Sequence, residues 1–224
     1  MSPTLLIFLA IGTVLMGIPI AFVAKRYQLS VIKALIATVL LTVTGTLGTK
    51  ILYFIENGKL NGLSFYGAVF LVPIVFALIA WILRMPYGKL TDLCAVGECI
   101  MLALMKVSCF LSGCCRGMVL YVTEAGEEVR FPSALVEIVV ALILFAILLV
   151  WALKKKQTQK LYAWYLLLYG CVRFVLNLFR DVWNNLTLPL PYGNIWSLVA
   201  IVAGAIWLAI LVKKEKQQVA EKTE

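Results

Sequence analysis

Long apolar stretches recur along the whole chain, and this feature constrains the fold more than any other. A helix that crosses a bilayer needs about 20 mostly apolar residues, whereas a membrane β-barrel shows segments of about 10 residues that alternate in polarity. Hydrophobic residues make up 63% of the sequence and charged residues only 14%, which excludes a soluble globular domain and a disordered chain. The sequence therefore predicts an all-α, polytopic membrane protein. Its seven predicted transmembrane helices cover residues 4–24, 31–55, 64–83, 90–111, 132–153, 161–179 and 194–212.

The segments between the predicted spans are short, so we expect a single integral-membrane domain over residues 1–224. The first apolar segment has no basic stretch before it and is about 20 residues long, which favours a retained helix over a cleaved signal peptide. In one loop, residues 121–123 and 128–130 flank a turn and predict a small surface hairpin. Residues 213–224 are polar and charged, and they predict a solvated tail.

The basic residues are distributed unequally between the two sets of loops. Of the 20 lysine and arginine residues, 13 lie near the loops after the first, third and fifth spans or in the tail, and four lie in the other loops. By the positive-inside rule, this asymmetry predicts an N-terminus outside and a C-terminus in the cytoplasm. The net charge of +9 then reflects membrane topology. We expect no nucleic-acid partner, because no basic stripe with interleaved aromatic residues is present.

The sixth predicted span carries a polar stripe. Arg173, Asn177 and Arg180 fall at positions i, i+4 and i+7, which places two guanidinium groups and an amide on one helical face. A guanidinium group offers forked donors to phosphate oxygens, so this stripe predicts a phosphate site. The alternative is that Arg180 reaches the membrane interface while Arg173 pairs with Glu137 or Glu98 inside the bundle.

A turn rich in small and sulfur-containing residues follows the fourth span, which also carries Lys106. Gly113 and Gly117 flank polar residues there, a pattern typical of a tight turn that brings backbone donors near a ligand. The adjacent Cys114 and Cys115 do not suit a zinc site, because the chain has no histidine and no CxxC spacing, so we predict no metal. A disulfide or a reactive thiol at these two residues stays open, whereas most other cysteines are expected to be small apolar residues in packed helices.

Two further residues lie near the predicted outer ends of spans. Glu137 lies about a turn and a half into the fifth span. Because an ionisable group at membrane depth is costly, we expect a salt bridge with Arg173 or a role in acid/base chemistry. Tyr66 begins the third span, where tyrosine is common in the aromatic belt at the membrane interface, and the residue type alone predicts that position.

Together these motifs resemble the prolipoprotein diacylglyceryl transferase family. Residues 106–117 are similar to that family's Arg-Ile-Gly-(Asn/Cys)-Phe-x-Asn-Gly signature and to variants ending in Cys-Cys-x-Gly. Residues 131–137 are similar to His-Pro-(Ser/Thr)-Gln-Leu-Tyr-Glu, and residues 169–180 resemble Tyr-Gly-x-x-Arg-Phe-x-x-Glu-x-x-Arg. Residues 64–67 occupy the place of the family's Ser-Phe-His-Gly-Gly motif, and Asp92 that of an aspartate which opens the fourth span. Order and spacing agree over residues 60–205.

The resemblance implies an enzyme that moves a diacylglyceryl group from phosphatidylglycerol to the thiol of a lipobox cysteine in a secreted preprotein, without a cofactor. It implies a multi-pass protein of the bacterial plasma membrane whose site faces the extracytoplasmic side. Arg173 and Arg180 would hold the lipid phosphate and stabilise charge on the departing glycerol phosphate. The site residues that it implies are Tyr66, Glu137 and Arg173 for catalysis and Lys106, Ser112, Gly113, Arg116, Asn177 and Arg180 for substrate binding.

The chain also departs from the family pattern. Tyr66 and Phe131 stand where the family has histidine, so no imidazole is available as a base near neutral pH, and Glu137 or Asp181 is the remaining proton acceptor. The other differences are Asn177 for glutamate, Lys106 for arginine and Ser112 for asparagine. The missing histidines favour an alternative, a non-catalytic relative that binds anionic phospholipid or a membrane partner. A small-solute transporter is a third possibility, although no internal repeat supports it.

Overall fold

The computed structural model describes residues 3–59, 62–156, 158–181 and 190–221. Within these ranges the chain forms seven α-helices that are long and apolar enough to cross a membrane, which confirms the predicted all-α, seven-span architecture. The helices are α1 (Pro3–Arg26), α2 (Val31–Asn57), α3 (Phe65–Leu83), α4 (Tyr87–Ser112), α5 (Ser133–Leu153), α6 (Leu161–Leu178) and α7 (Tyr192–Ala220). The tail that we predicted as solvated continues α7 as an exposed helix to Ala220, and its residues 222–224 lie outside the described residues.

The outer surface of the bundle is apolar. Large side chains such as Val14, Ile74 and Trp81 are more than half exposed. In a bilayer these side chains contact lipid acyl chains, so their exposure costs nothing there. Such helices gain no hydrophobic free energy from packing against one another, and small residues at their contacts supply close van der Waals packing instead.

The contact between α2 and α3 shows this close packing. Gly48 and Gly67 face each other, and a Cβ atom placed on either one would overlap the other's carbonyl group. Only glycine therefore allows the two backbones to touch at this point. This contact lies next to Tyr66, at the start of α3, and it fixes the position of that side chain relative to α2.

Helix α4 is the central helix of the bundle and packs against α1, α3, α5 and α6. Its buried carboxylates have partners. Asp92 accepts hydrogen bonds from the backbone N–H groups of Gln159 and Leu161 and from the hydroxyl group of Tyr27. It thereby fastens the α5–α6 connection and the end of α1 to one end of the bundle. Burial, followed by the neighbouring Asp92 carboxylate, raises the pKa of Tyr27.

The predicted hairpin is confirmed at the other end. Strands β1 (Val119–Val122) and β2 (Glu128–Arg130) pair antiparallel, with Val122 opposite Glu128. Arg130 forms ion pairs of 2.6 Å with Glu128 and 2.8 Å with Asp181, so it connects the hairpin to the segment after α6. Gly117 pairs with Arg180 in an isolated antiparallel bridge, and these contacts hold Arg180 against the turn that follows α4.

Candidate functional site

A cavity of about 1480 Å³ opens between α2, α3, α4 and α6 and the segment that leads into α7. It extends inward as far as Met16 of α1 and Glu98 of α4. Typical small-molecule pockets hold about 300–1,000 Å³, so this cavity is large enough for a lipid. Much of its wall is apolar, and four basic side chains line it: Lys50, Lys106, Arg173 and Arg180.

An ion cluster lies directly behind this wall. The Glu137 side chain is only 2% exposed, and its carboxylate pairs with two cations. Lys106 Nζ lies 2.6 Å from Oε2, and an Arg173 Nη1 donates to Oε1. The structure therefore selects Glu137, not Glu98, as the ion-pair partner of Arg173. Glu98 instead accepts a hydrogen bond from Tyr162. Because one carboxylate serves two buried cations, the cluster keeps one net positive charge next to the cavity.

Arg180 reaches the same cavity by a different route from the predicted one. Helix α6 ends at Leu178, so the helical stripe stops before this residue. The bridge between Arg180 and Gly117 positions it instead. Among the described residues, the buried Nε atom of Arg180 has no hydrogen-bond partner, and it can therefore bind an incoming anion. The amide side chain of Asn177 is buried against Gly193 and is not part of the described cavity wall.

The other predicted substrate-binding residues do not all lie at the cavity. Ser112 lines the cavity. Gly113 ends α4 with a φ of 64°, the left-handed conformation that favours glycine, and its N–H group caps the carbonyl groups of the last turn. Arg116 is exposed and lies outside the described cavity wall, and its carbonyl group accepts a hydrogen bond from the backbone of Asp181.

Tyr66 points into the bundle, whereas its residue type alone predicted a place in the aromatic belt at the membrane interface. Its side chain is 4% exposed, lines the cavity and packs against the rings of Phe70 and Tyr169. Its hydroxyl group is 2.7 Å from Ser197 Oγ. The register of α3 against α2 turns this side chain inward. Phe131, the other residue that replaces a histidine of the resembled motif, packs its ring 5.1 Å from that of Phe179.

Three thiols form a cluster that no sequence pattern predicted. The Sγ atoms of Cys109, Cys114 and Cys115 all lie within 4.8 Å of one another, and all three residues line the cavity. The left-handed turn at Gly113 reverses the chain and folds the second and third cysteines back onto the first. The signal in the sequence was Gly113, which follows Lys106 by seven residues, and not the spacing of the cysteines.

The thiol of Cys115 is next to positive charge. Lys106 Nζ lies 3.9 Å from its Sγ atom. A hydrogen bond from Cys109, together with the charges of Lys106 and Arg180, lowers the pKa of Cys115 to about 5. The hydroxyl group of Ser133 donates to the Cys115 carbonyl group at 2.8 Å and fixes the loop in this position.

A second polar group on the cavity wall was also missed. Glu56, near the end of α2, accepts hydrogen bonds of 2.8 Å from Ser64 Oγ and 2.6 Å from Trp196 Nε1. These bonds connect the end of α2 with the starts of α3 and α7. Nothing in the local sequence around Glu56 identifies these partners, since Trp196 lies 140 residues away.

The amino-acid sequence is similar to that of a known family and of several named proteins. Residues 5–210 match the family described as prolipoprotein diacylglyceryl transferase. Phosphatidylglycerol–prolipoprotein diacylglyceryl transferase 2 of Clostridium perfringens is 24% identical over 209 residues, which cover 83% of this chain and 82% of that protein. The protein of similar name from Francisella tularensis subsp. novicida is 28% identical over 183 residues, 75% of this chain and 66% of that protein. A third, from Dehalococcoides mccartyi, is 27% identical over 235 residues, 94% of this chain and 90% of that protein.

Proposed function

The chain belongs to the prolipoprotein diacylglyceryl transferase family, and on this premise we propose that it transfers a diacylglyceryl group from phosphatidylglycerol to the thiol of a lipobox cysteine in a secreted preprotein. The relatives named above are phosphatidylglycerol–prolipoprotein diacylglyceryl transferases. The observation that carries the proposal is that Lys106, Arg173 and Arg180 line a lipid-sized cavity whose wall is more apolar than polar.

The cavity suits both parts of the donor lipid. The phosphodiester carries one negative charge, and the guanidinium groups of Arg173 and Arg180 offer forked donors to its oxygens. The apolar wall, which includes Leu9, Met16 and Leu41, would contact the acyl chains. Glu137 holds Lys106 and Arg173 in place from behind, and it leaves the third cation, Arg180, for the lipid.

The same cations favour the chemical step. The acceptor thiolate attacks the glyceryl carbon that bears the phosphate, so that a carbon–sulfur bond forms and the carbon–oxygen bond breaks. Glycerol phosphate leaves with the bonding electron pair, and the charge on its phosphate changes from one to two negative units. Fixed donors that meet charge as it develops lower the barrier, and each donor typically raises the rate by a factor of about 10²–10³.

The site lies at the end of the bundle where α2, α4 and α6 end and α3, α5 and α7 begin. From the charge asymmetry of the loops, we place this end on the extracytoplasmic side of the bacterial plasma membrane, with the C-terminus in the cytoplasm. A secreted preprotein that carries its lipobox cysteine across the membrane would meet the cavity there. The phosphatidylglycerol of the outer leaflet would reach the same place by lateral diffusion.

Transfer can be measured directly. The purified chain in phosphatidylglycerol nanodiscs is given a fluorescent lipobox peptide, and the lipidated peptide is quantified by mass spectrometry. We expect Arg173→Ala to lower kcat/KM by about 100-fold or more. Arg173→Lys keeps a charge for Glu137 but loses the forked geometry, so it should also be impaired. The matched control is Arg26→Ala, an exposed arginine at the other end of the bundle.

The alternative function is supported by one observation, the tyrosine and phenylalanine at the family's two histidine positions. A non-catalytic relative would bind phosphatidylglycerol in an Arg173-dependent way without transferring it. Binding to labelled phosphatidylglycerol, measured on the same samples, separates the two functions. Binding without detectable transfer overturns the enzyme and supports the lipid-binding relative.

A further inference from the structure

The thiol cluster of Cys109, Cys114 and Cys115 has the geometry of a metal site. Zinc bound by thiolates has Zn–S distances of about 2.3 Å in a tetrahedral arrangement, which separates the sulfur atoms by roughly 3.8 Å. Here the Sγ atoms of Cys114 and Cys115 are 3.9 Å apart, and all three lie within 4.8 Å of one another. Small rotations of the side chains therefore complete three corners of a tetrahedron.

The type of ligand atom indicates which metal ion would bind. Three sulfur ligands without oxygen or nitrogen favour soft ions such as zinc over magnesium or calcium. Because the chain contains no histidine, imidazole ligands are not available. A Zn²⁺ ion with three thiolates carries one negative charge, and the cations on the same wall, Lys106 at 3.9 Å from Cys115 Sγ and Arg180, offset it.

The position of the cluster distinguishes it from a structural zinc site. A structural site has four protein ligands, whereas a catalytic site has three and keeps one position open. The described residues provide three thiols here, and all three border the cavity. A fourth coordination position would therefore open toward the space that holds the substrate.

We propose that Cys109, Cys114 and Cys115 bind one zinc ion whose fourth coordination position takes the acceptor thiol. The role of the acceptor rests on the proposed transferase function, whereas the metal site itself does not. The absence of histidine and of CxxC spacing in the sequence predicted no metal. The turn at Gly113 produces the same convergence of sulfur ligands from a different spacing.

A zinc ion at this site would activate the acceptor thiol, a step for which the chain has no imidazole base. Coordination to zinc deprotonates a thiol outright and releases its proton to solvent. The bound thiolate then uses its lone pair to attack the glyceryl carbon, the carbon–sulfur bond forms, and glycerol phosphate leaves with the electron pair of the broken carbon–oxygen bond. No electrons are exchanged with the metal, and no other reactant is needed.

The metal site is tested on the full chain in detergent, reduced and stripped with a chelator. Titration with Co²⁺ should give one equivalent per chain, with thiolate-to-cobalt charge-transfer bands and the visible bands of tetrahedral cobalt, and Zn²⁺ should displace it. Each of Cys109→Ala, Cys114→Ala and Cys115→Ala should weaken binding by more than the roughly 10–100-fold that loss of an outer-shell partner costs. Cys171→Ala, at an exposed cysteine of α6, should bind cobalt as the unmodified chain does.

Two results overturn the site. One is cobalt binding by the unmodified chain that is no tighter than that of the three cysteine variants. The other is a disulfide among these three cysteines, found by mass spectrometry in zinc-free protein that was purified without reductant.

The acceptor role is tested separately by measuring peptide transfer with and without zinc. Transfer that stops in the chelated chain and returns with Zn²⁺ supports the role. Transfer that continues in the zinc-free chain overturns it, while the proposed transferase function stands. If the chain binds one cobalt through its thiols but transfers nothing in any state, the proposed function fails and the metal site remains.

Discussion

Replacing Glu137 with glutamine tests the buried ion cluster. Glutamine has nearly the same shape but no charge, so Lys106 and Arg173 would stay buried without their shared counter-ion. The side chain of Lys106 is only 10% exposed and that of Arg173 only 11%. Removing one partner of a buried ion pair costs about 3–5 kcal/mol, because the remaining charge is left uncompensated. With two cations affected, we expect the loss to reach the upper part of this range.

The free energy of unfolding can be measured in mixed micelles with increasing sodium dodecyl sulfate, followed by far-ultraviolet circular dichroism. Glu128→Gln is the matched control, because Glu128 pairs with Arg130 on the exposed hairpin and a surface pair contributes little. A second variant, Glu137→Gln combined with Lys106→Met, should recover part of the lost stability, because one uncompensated cation is removed with it. The reasoning is refuted if Glu137→Gln destabilises the chain no more than Glu128→Gln does. It is also refuted if the double variant is less stable than Glu137→Gln by the full amount that Lys106→Met alone costs.

Three further outcomes are expected. Arg180→Ala should weaken phosphatidylglycerol binding in nanodiscs by about 10-fold or more while the unfolding transition stays in place, since its buried Nε atom has no described hydrogen-bond partner; unchanged lipid affinity would contradict this. In the metal-free chain, the rate of Cys115 alkylation by iodoacetamide should rise with pH, with a midpoint near the pKa of about 5, because only the thiolate reacts. A midpoint near the ordinary pKa of about 8.5 would show that the neighbours of Cys115 do not stabilise its thiolate. Gly48→Ala should destabilise the chain by about 1–3 kcal/mol because its Cβ atom would overlap Gly67, whereas Gly17→Ala, which meets only Leu35 at 3.4 Å, should have a much smaller effect in the same unfolding assay.

The family and the number of spans could be read from the sequence because both depend on local or ordered patterns. Hydropathy over about 20 residues identifies a spanning helix, and each of the seven predicted segments is a helix in the structure. The turn residues between 121–123 and 128–130 predicted the hairpin for the same reason, since its strands are close in sequence. Four motifs in a fixed order gave the resemblance to the family that residues 5–210 match.

The helical stripe on α6 was predictable only in part. Arg173 and Asn177 lie on the helix as expected, but the helix ends before Arg180, and a backbone bridge to Gly117 brings that residue to the cavity. A period of 3.6 residues carries no information on where a helix stops when no strong terminating residue marks the end. The end of α6 depends on contacts with a turn more than 60 residues earlier in the chain.

Which polar groups meet was decided by the tertiary structure. The sequence left Glu137 and Glu98 as candidates for Arg173, and the packing of α4, α5 and α6 brings Glu137 to Arg173 and Tyr162 to Glu98. The inward direction of Tyr66 likewise follows from the contact between Gly48 and Gly67. The preference of tyrosine for membrane interfaces gives no information on this contact.

The amino-acid sequence by itself determined that this chain spans a membrane seven times and belongs to one family. Those properties follow from hydropathy and residue order, which are read along the chain. The convergence of three thiols at the wall of a cationic cavity was decided only by the tertiary structure. This convergence depends on one left-handed turn at Gly113 and on helices that approach from distant parts of the chain. The directions in which such a turn and such packing aim side chains have no periodic signature in a sequence.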